Sequence, residues 1–164
     1  MLCNNRRLAK ISITPGKTQF INHFEIIFSR EKRKDAKWYF VDLPGYGFAK
    51  RSKSMKKDWS KMTEDYIRKR SNLVSLFVLV DSRHEPQLID LDFINRLGDW
   101  KIPFSLVFTK ADKNKEKQTM QNVERFAGEL KKTWEELPVY FVTSAPEKKG
   151  RKQLLEYMGS LAVS

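Results

Sequence analysis

The chain of 164 residues contains a single cysteine, Cys3, and only two histidines. One cysteine excludes an internal disulfide framework and fits a reducing cytosol. These three residues are scattered, so they offer no zinc-ligand spacing. No apolar run approaches the roughly 20 residues that span a bilayer, and residues 1–7 lack the apolar segment of a secretory signal. We therefore expect a cytoplasmic protein with no membrane partner.

Acidic residues are scarce relative to basic ones. The chain has 20 Asp and Glu against 32 Lys and Arg, a formal net charge of +12. This excess favours an anionic partner, and RNA or a ribonucleoprotein is the default for a cytosolic protein. The alternative interpretation is a solvated surface that charge keeps soluble.

Apolar runs alternate with amphipathic patterns along most of the chain. The run Trp38–Val41 ends at Asp42 before a Pro-Gly turn, which indicates a strand that carries a carboxylate at its C-terminal end. A strand over Phe20–Phe28 precedes it across a short charged tip, and the two predict an antiparallel hairpin. A helix through Met55–Ile67 follows. Beyond it, the patterns predict strands over 73–80, 104–108 and 139–142, and helices over 87–100, 116–136 and through Leu154–Leu161. This alternation predicts an α/β fold with a mostly parallel sheet, in a single domain over residues 1–164.

Polar signatures follow three of the predicted strands, at Asp42-Leu43-Pro44-Gly45, Thr109-Lys110-Ala111-Asp112 and Thr143-Ser144-Ala145. The C-terminal ends of parallel strands share one sheet edge, where ligands bind. An acid such as Asp42 suits Mg²⁺, and the amide of Gly45 can approach a phosphate. The Asp112 carboxylate only accepts hydrogen bonds, which matches the two donors on one edge of guanine and not adenine. Each signature alone could be an ordinary turn or cap, but their order and spacing together favour a nucleotide site.

The chain resembles the EngB (YihA/YsxC) group of the TrmE–Era–EngA–EngB superfamily of translation-factor-type GTPases. The matching motifs are Pro15-Gly16-Lys17-Thr18-Gln19, Val41-Asp42-Leu43-Pro44-Gly45-Tyr46-Gly47-Phe48-Ala49-Lys50, Asp81-Ser82-Arg83-His84-Glu85-Pro86 and Thr109-Lys110-Ala111-Asp112. The resemblance implies a P-loop NTPase G domain, a three-layer α/β/α fold with one antiparallel edge strand. It also implies GTP, GDP and Mg²⁺ binding, slow GTP hydrolysis, a role in large ribosomal subunit assembly, and a need in normal cell division and septation. A monomeric full-length protein and no DNA partner are expected.

The resemblance also implies which residues bind the nucleotide. Thr18 and Asp42 would be the metal ligands, and Thr109, Lys110 and Asp112 would read guanine. The full set of implied nucleotide contacts is Gly16, Lys17, Thr18, Gln19, Phe20, Asp42, Leu43, Pro44, Gly45, Thr109, Lys110, Ala111, Asp112, Val142, Thr143 and Ser144. No catalytic residue is assigned, because Tyr46 stands where Ras-like proteins carry a water-orienting glutamine.

One motif of such a GTPase is missing from the sequence. The phosphate-binding G-x-x-x-x-G-K-[ST] loop should follow a first strand, but Gly16-Lys17-Thr18 has neither that strand nor the upstream glycine and matches switch I instead. We therefore expect a partial domain without its first strand and P-loop, from a fragment or a misassigned start. The missing strand would lie between those ending at Asp42 and Asp81, so residues 1–164 alone should fold poorly and bind GTP weakly.

Two alternatives to an active GTPase follow from the missing loop. One is a basic α/β module that binds RNA or the ribosome without nucleotide hydrolysis, and the other is an inactive fragment of the full-length enzyme. Under the GTPase interpretation, basic clusters at residues 30–37, 50–57 and 148–152 are the candidate contacts with ribosomal RNA. The cluster at 50–57 is favoured, because nucleotide state would move it.

Overall fold

A computed structural model of the chain describes Leu2 and residues 20–30, 33–46 and 53–161. The segment Pro15–Gln19 and most of residues 1–10 lie outside this described part. The chain divides into two compact units. The hairpin unit comprises Asn5–Arg70 with Ala162–Ser164, and the sheet unit comprises Met1–Asn4 with Ser71–Leu161.

The hairpin unit contains two antiparallel strands and a helix. Strand β1 (Asn22–Arg30) pairs with β2 (Arg33–Asp42) from the Asn22–Asp42 pair to the Arg30–Arg33 pair, and α1 spans Lys53–Lys69. The predicted hairpin is confirmed, but both strands extend further toward its tip than the apolar pattern indicates. The backbone ladder continues through the charged residues, because hydrogen bonds between main chains do not require apolar side chains.

The sheet unit contains three parallel strands in the order β3-β4-β5, joined by helices. Its elements are β3 (Leu76–Asp81), α2 (Leu88–Asp99), β4 (Phe104–Thr109), a 3₁₀ turn (Ala111–Lys113), α3 (Glu116–Leu130), β5 (Tyr140–Val142) and α4 (Arg151–Leu161). The predicted α/β alternation and parallel sheet are therefore confirmed. Among the described strands, β3 pairs only with β4, and its residue Leu79 is 64% exposed.

The core of the sheet unit is built around β4, the central strand. Its residues Ser105, Leu106, Val107 and Phe108 are all buried. Helices contribute most of the other buried apolar side chains, namely Phe93, Ile94 and Leu97 from α2, Val123, Phe126 and Leu130 from α3, and Leu154 and Met158 from α4; the remainder are Val78 and Val80 in β3 and Ala111 in the 3₁₀ turn. Burying an aliphatic or aromatic side chain of this size is worth about 1.5–3 kcal/mol. This core supports the C-terminal ends of the strands.

Helix α3 ends at Leu130, so the prediction of a helix to residue 136 is wrong. The chain leaves the helix because Trp134 has better partners elsewhere in the unit. Its backbone amide still donates to the Leu130 carbonyl, at 2.9 Å. Its indole N–H donates to Asn95 Oδ1 at 2.8 Å, and its ring packs edge-on against Phe104. Tertiary packing thus overrides the helical pattern here.

Strands β3 and β5 are also shorter than predicted, starting at Leu76 and Tyr140. In both cases the parallel ladder begins only where the chain comes opposite β4, with Leu76 against Phe104 and Tyr140 against Leu106. No helix within the described residues is both long and apolar enough to cross a membrane.

Candidate nucleotide-binding site

The C-terminal ends of the three parallel strands bring several predicted site residues to one edge. Asp81 at the end of β3 pairs in register with Thr109 at the end of β4, and Phe108 pairs with Val142 at the end of β5. Directly after β4, Lys110 adopts a left-handed backbone conformation with φ 62° and ψ 31°. This sharp turn leads into the 3₁₀ turn that carries Asp112.

Asp112 and Ser144 contact each other at this edge. The Ser144 hydroxyl donates to Asp112 Oδ1 at 2.8 Å, and the Ala111 amide donates to the Thr143 carbonyl at 3.1 Å. The Asp112 side chain is 10% exposed. The hydrogen bond from Ser144 lowers the pKa of Asp112, Lys113 lowers it further, and burial opposes both. Asp112 is therefore an ionised, oriented acceptor at neutral pH.

Thr109 and Lys110 connect this turn to the neighbouring strand. The Thr109 hydroxyl donates to the Val80 carbonyl at 3.1 Å, so it joins β4 to β3. Lys110 Nζ lies 2.7 Å from Asp81 Oδ2, and Arg83 also pairs with that carboxylate. Burial raises the pKa of Asp81, but the hydrogen bonds from Arg83 and Lys110 outweigh it and hold the pKa well below its usual range.

The loop after β5 is held in shape by its own backbone. The Thr143 amide donates to the Phe108 carbonyl at 2.7 Å, and the Ser144 amide donates to the Lys149 carbonyl at 3.2 Å. The backbone amides of Thr143 and Ser144 are thus used within the chain. The functional atom that the structure places toward Asp112 is the Ser144 hydroxyl.

Sequence reasoning missed Gly150, which closes this loop. It has φ +71°, and a Cβ there would lie 2.4 Å from the Val142 carbonyl oxygen. Only glycine fits both the backbone conformation and the space. A glycine between a basic run and a predicted helix was the available signal, since such a position favours a positive φ.

Sequence reasoning also missed a buried polar network behind the edge. Asn122 Nδ2 donates to the Ser82 carbonyl at 2.9 Å, and the Ser82 hydroxyl donates to the Thr109 carbonyl at 2.7 Å. Both side chains are buried, so these bonds fix α3 and the end of β3 against the turn after β4. The polar residue Asn122 on the apolar stripe of a predicted helix was the signal for it.

The remaining described site residues belong to the hairpin unit. Asp42 ends β2 and is exposed, Leu43 is half-buried, Pro44 is buried, and Gly45 is exposed. A Cβ on Gly45 would meet nothing within 4 Å among the described residues, so packing there does not require glycine. Phe20 is 74% exposed. The predicted contacts Gly16, Lys17, Thr18 and Gln19 lie outside the described residues.

The described residues include no group of three or more His, Cys, Asp or Glu side chains that could hold a metal ion. A single exposed carboxylate such as Asp42 suits Mg²⁺ only when phosphate oxygens and water complete the coordination, which is how that ion usually binds in nucleotide sites. The residues present therefore fit a cation brought with a phosphate rather than a metal centre made by protein alone.

The comparisons with known proteins agree with this geometry. Residues 1–110 match the model of a family described as 50S ribosome-binding GTPase. Among solved structures, the elongation factor SelB from Methanococcus maripaludis with the GTP analogue GppNHp superimposes with a TM-score of 0.60 at 16% identity, over 86% of this chain and 27% of SelB. Its apo form gives 0.56 at 18% identity, over 88% and 28%. These likenesses establish the fold, and fold and family model together define a GTPase domain.

Curated relatives are far more similar in sequence. A probable GTP-binding protein EngB from Christiangramia forsetii is 47% identical over 158 residues, covering 96% of this chain and 76% of that protein. The proteins of the same name from Bacteroides fragilis and Porphyromonas gingivalis are each 48% identical over 161 residues, covering 98% of this chain and 76% of theirs. The chain belongs to the EngB family of GTP-binding proteins.

Proposed function

We propose that this GTP-binding protein reads guanine at the Asp112 edge, holds Mg²⁺ with the nucleotide, and acts as a GTP-controlled factor in large ribosomal subunit assembly. The protein acts in the cytoplasm. Through its role in subunit assembly it is needed for normal cell division and septation. Membership of the EngB family supports guanine-nucleotide binding, and the matched family model is described as ribosome-binding.

The contact between Ser144 and Asp112 carries the proposal of base recognition. One carboxylate oxygen accepts from Ser144 at 2.8 Å, which orients the group, while Lys113 Nζ lies 3.4 Å from the other oxygen. An ionised carboxylate held this way can accept from both N1–H and the 2-amino group of guanine. Adenine presents no such pair of donors, so the edge discriminates between the two bases.

Asp42 and Gly45 are the proposed contacts with the phosphates and Mg²⁺. Asp42 would hold the cation together with Thr18, and the bound Mg²⁺ would neutralise charge on the phosphate oxygens. Among the described residues, nothing lies within 4 Å of a Cβ built on Gly45, and close approach of a ligand to its backbone amide would explain the glycine. Asp42 is the last residue of β2 and Gly45 lies in the turn directly after it.

Replacement of Asp112 by Asn tests base recognition directly. The amide oxygen still accepts from N1–H, but the amide nitrogen presents a donor to the 2-amino group of guanine, whereas it matches the 2-carbonyl group of xanthine. The variant loses one charge-assisted hydrogen bond and leaves two donors facing each other, so its GTP binding should weaken at least about tenfold. Xanthosine triphosphate should bind the variant better than it binds the wild type. Competition titrations against a fluorescent GDP analogue measure both affinities.

Replacement of Glu116 by Gln is the matched control for that experiment. Glu116 is an exposed acid close in sequence that pairs with Lys149, so its loss should leave the choice of base unchanged. If the Asp112 variant keeps the wild-type preference for GTP, the assignment of base recognition to this edge is wrong.

The basic cluster at residues 50–57 is the proposed ribosomal contact. Of the three clusters, only 148–152 has described side chains, and there Lys149 pairs with Glu116 and Arg151 donates to the Leu2 carbonyl. These partners make 148–152 less available to RNA. The excess of positive charge on the chain supports a polyanionic partner of this kind.

Reversing the charge of Lys53, Lys56 and Lys57 to Glu tests this contact. Binding to the purified large ribosomal subunit should weaken, and the slope of log affinity against log salt should fall by roughly two to three, as counterion release requires for three lost phosphate contacts. Co-sedimentation at several salt concentrations measures this slope. The same change at Lys131 and Lys132 on the sheet unit is the control, and equal losses in both variants would count against a specific contact at α1.

A further inference from the structure

The segment Asp81-Ser82-Arg83-His84-Glu85-Pro86 carries part of the family resemblance but has no part in the function proposed above. It begins where β3 ends, and Asp81 pairs in register with Thr109 of the base-reading turn. Its first acid therefore lies beside the turn that carries Lys110 and Asp112. This position suggests that the segment acts on the turn.

Arg83 holds the Asp81 carboxylate in one orientation. Its Nε lies 2.9 Å from Oδ1, its Nη2 lies 2.7 Å from Oδ2, and its backbone amide donates to Oδ1 at 3.1 Å. A bidentate guanidinium pair of this kind restricts rotation of the carboxylate. Arg83 is only two residues beyond Asp81, so this ion pair forms within one short segment of the chain.

The oriented carboxylate in turn contacts Lys110. Lys110 Nζ donates to Asp81 Oδ2 at 2.7 Å, and the Asp81 side chain is 26% exposed whereas that of Lys110 is 51% exposed. A lysine with this much exposure would otherwise sample many rotamers, and its ordering upon ligand binding would cost conformational entropy. The left-handed backbone conformation of Lys110 sets the direction of its Cα–Cβ bond. The contact with Asp81 sets the position of its Nζ atom.

We propose that Asp81, held by Arg83, is a positioning residue that pre-orders the Lys110 side chain across the guanine-binding edge. The inference rests on the proposed function of this edge. Its physical basis is preorganisation, since a side chain that is already ordered loses less entropy when the base binds. Asp81 acts through Lys110 and does not itself contact the nucleotide.

The test is the affinity of an Asp81→Asn variant for GDP carrying a fluorescent N-methylanthraniloyl group, with the protein produced from its complete gene. Loss of the charge that holds Lys110 should weaken binding about tenfold. In a Lys110→Met background the same change should alter affinity less than about twofold, because residues that act as a unit are not additive. Equal losses in the two backgrounds would overturn the proposal.

Two further variants separate positioning from folding. Arg83→Gln keeps the Asp81–Lys110 pair but frees the carboxylate to rotate, so it should cause a smaller loss than Asp81→Asn and serves if that variant does not fold. Glu85→Gln removes an exposed ion pair with Arg125 in the same segment and should bind like the wild type. A loss in Glu85→Gln equal to that in Asp81→Asn would show a general charge effect and overturn the proposal.

The outcomes also distinguish this inference from the function on which it rests. If the wild type does not bind guanine nucleotides, or Asp112→Asn does not shift the choice of base, the proposed function of the edge fails. If both hold and Asp81→Asn binds the fluorescent GDP as the wild type does, only the positioning role of Asp81 is wrong.

Discussion

The sheet unit and the hairpin unit support their candidate site residues in different ways. In the sheet unit, Asp112 follows β4, whose residues 105–108 are buried, and Ser144, which donates to Asp112, is itself buried. In the hairpin unit, Asp42 and Gly45 are exposed, and Pro44 and Ile67 are the only buried side chains among those described there. The proposed base-reading residues therefore lie beside buried side chains, whereas few buried side chains accompany the proposed phosphate contacts among the described residues.

This difference fits what a GTP-controlled switch requires. Guanine is common to GTP and GDP, so a rigid edge for the base serves both states. The γ-phosphate distinguishes the two states, and segments that respond to it must be able to rearrange at low energetic cost. Among the described side chains of the hairpin unit only Pro44 and Ile67 are buried, which would allow the proposed phosphate contacts to rearrange.

The largest difference in stability between the two units is expected when the loop glycines Gly150 and Gly45 are each replaced by alanine. Gly150→Ala should destabilise the protein by about 2–4 kcal/mol, because its positive φ and the nearby Val142 carbonyl both oppose a side chain. Gly45→Ala should change stability by less than about 0.5 kcal/mol, because a Cβ there meets nothing described within 4 Å. It should instead weaken binding of a GTP analogue more than binding of GDP.

Chemical denaturation measures the stability of both variants, and nucleotide titration measures their affinities. Gly128→Ala, at an exposed position inside α3 with open space around it, is the control and should stabilise the protein by about 0.5–1 kcal/mol. If Gly45→Ala is as unstable as Gly150→Ala, the two units tolerate a side chain at their loop glycines equally poorly, and the proposed difference between the units is wrong.

A smaller change in stability is expected when the pH is lowered. Asp81, Asp112 and Glu116 all belong to the sheet unit, and ion pairs or hydrogen bonds lower the pKa of each. A lowered folded-state pKa means that the unfolded chain binds more protons, so the stability these groups add is present above about pH 4 and is lost as pH falls below it. Solvent access to these carboxyls keeps the effect modest.

Denaturation curves between pH 5 and pH 2.5 test this dependence. Unfolding of Asp81→Asn should take up about one proton fewer than the wild type in that range, because one such group is removed. If Asp81→Asn takes up as many protons on unfolding as the wild type does, this carboxylate does not make the sheet unit sensitive to acid.

Much of the fold was predictable because its signals are local. The apolar run before Asp42, the continuous run of β4 and the helical spacing of α2 each depend on the residues within one element. The element ends were less predictable. Helix α3 ends at Leu130 because Trp134 finds Asn95 and Phe104, which are distant in sequence.

The candidate site shows the same division. The sequence by itself determined which side chains follow each strand, since Asp42, Lys110, Asp112 and Ser144 stand at motif positions that chemistry and family resemblance single out. Only the tertiary structure decided which of them contact one another. It joined Ser144 to Asp112 and Lys110 to Asp81 across 32 and 29 residues, because pairing of parallel strands sets such neighbours and no local pattern encodes them.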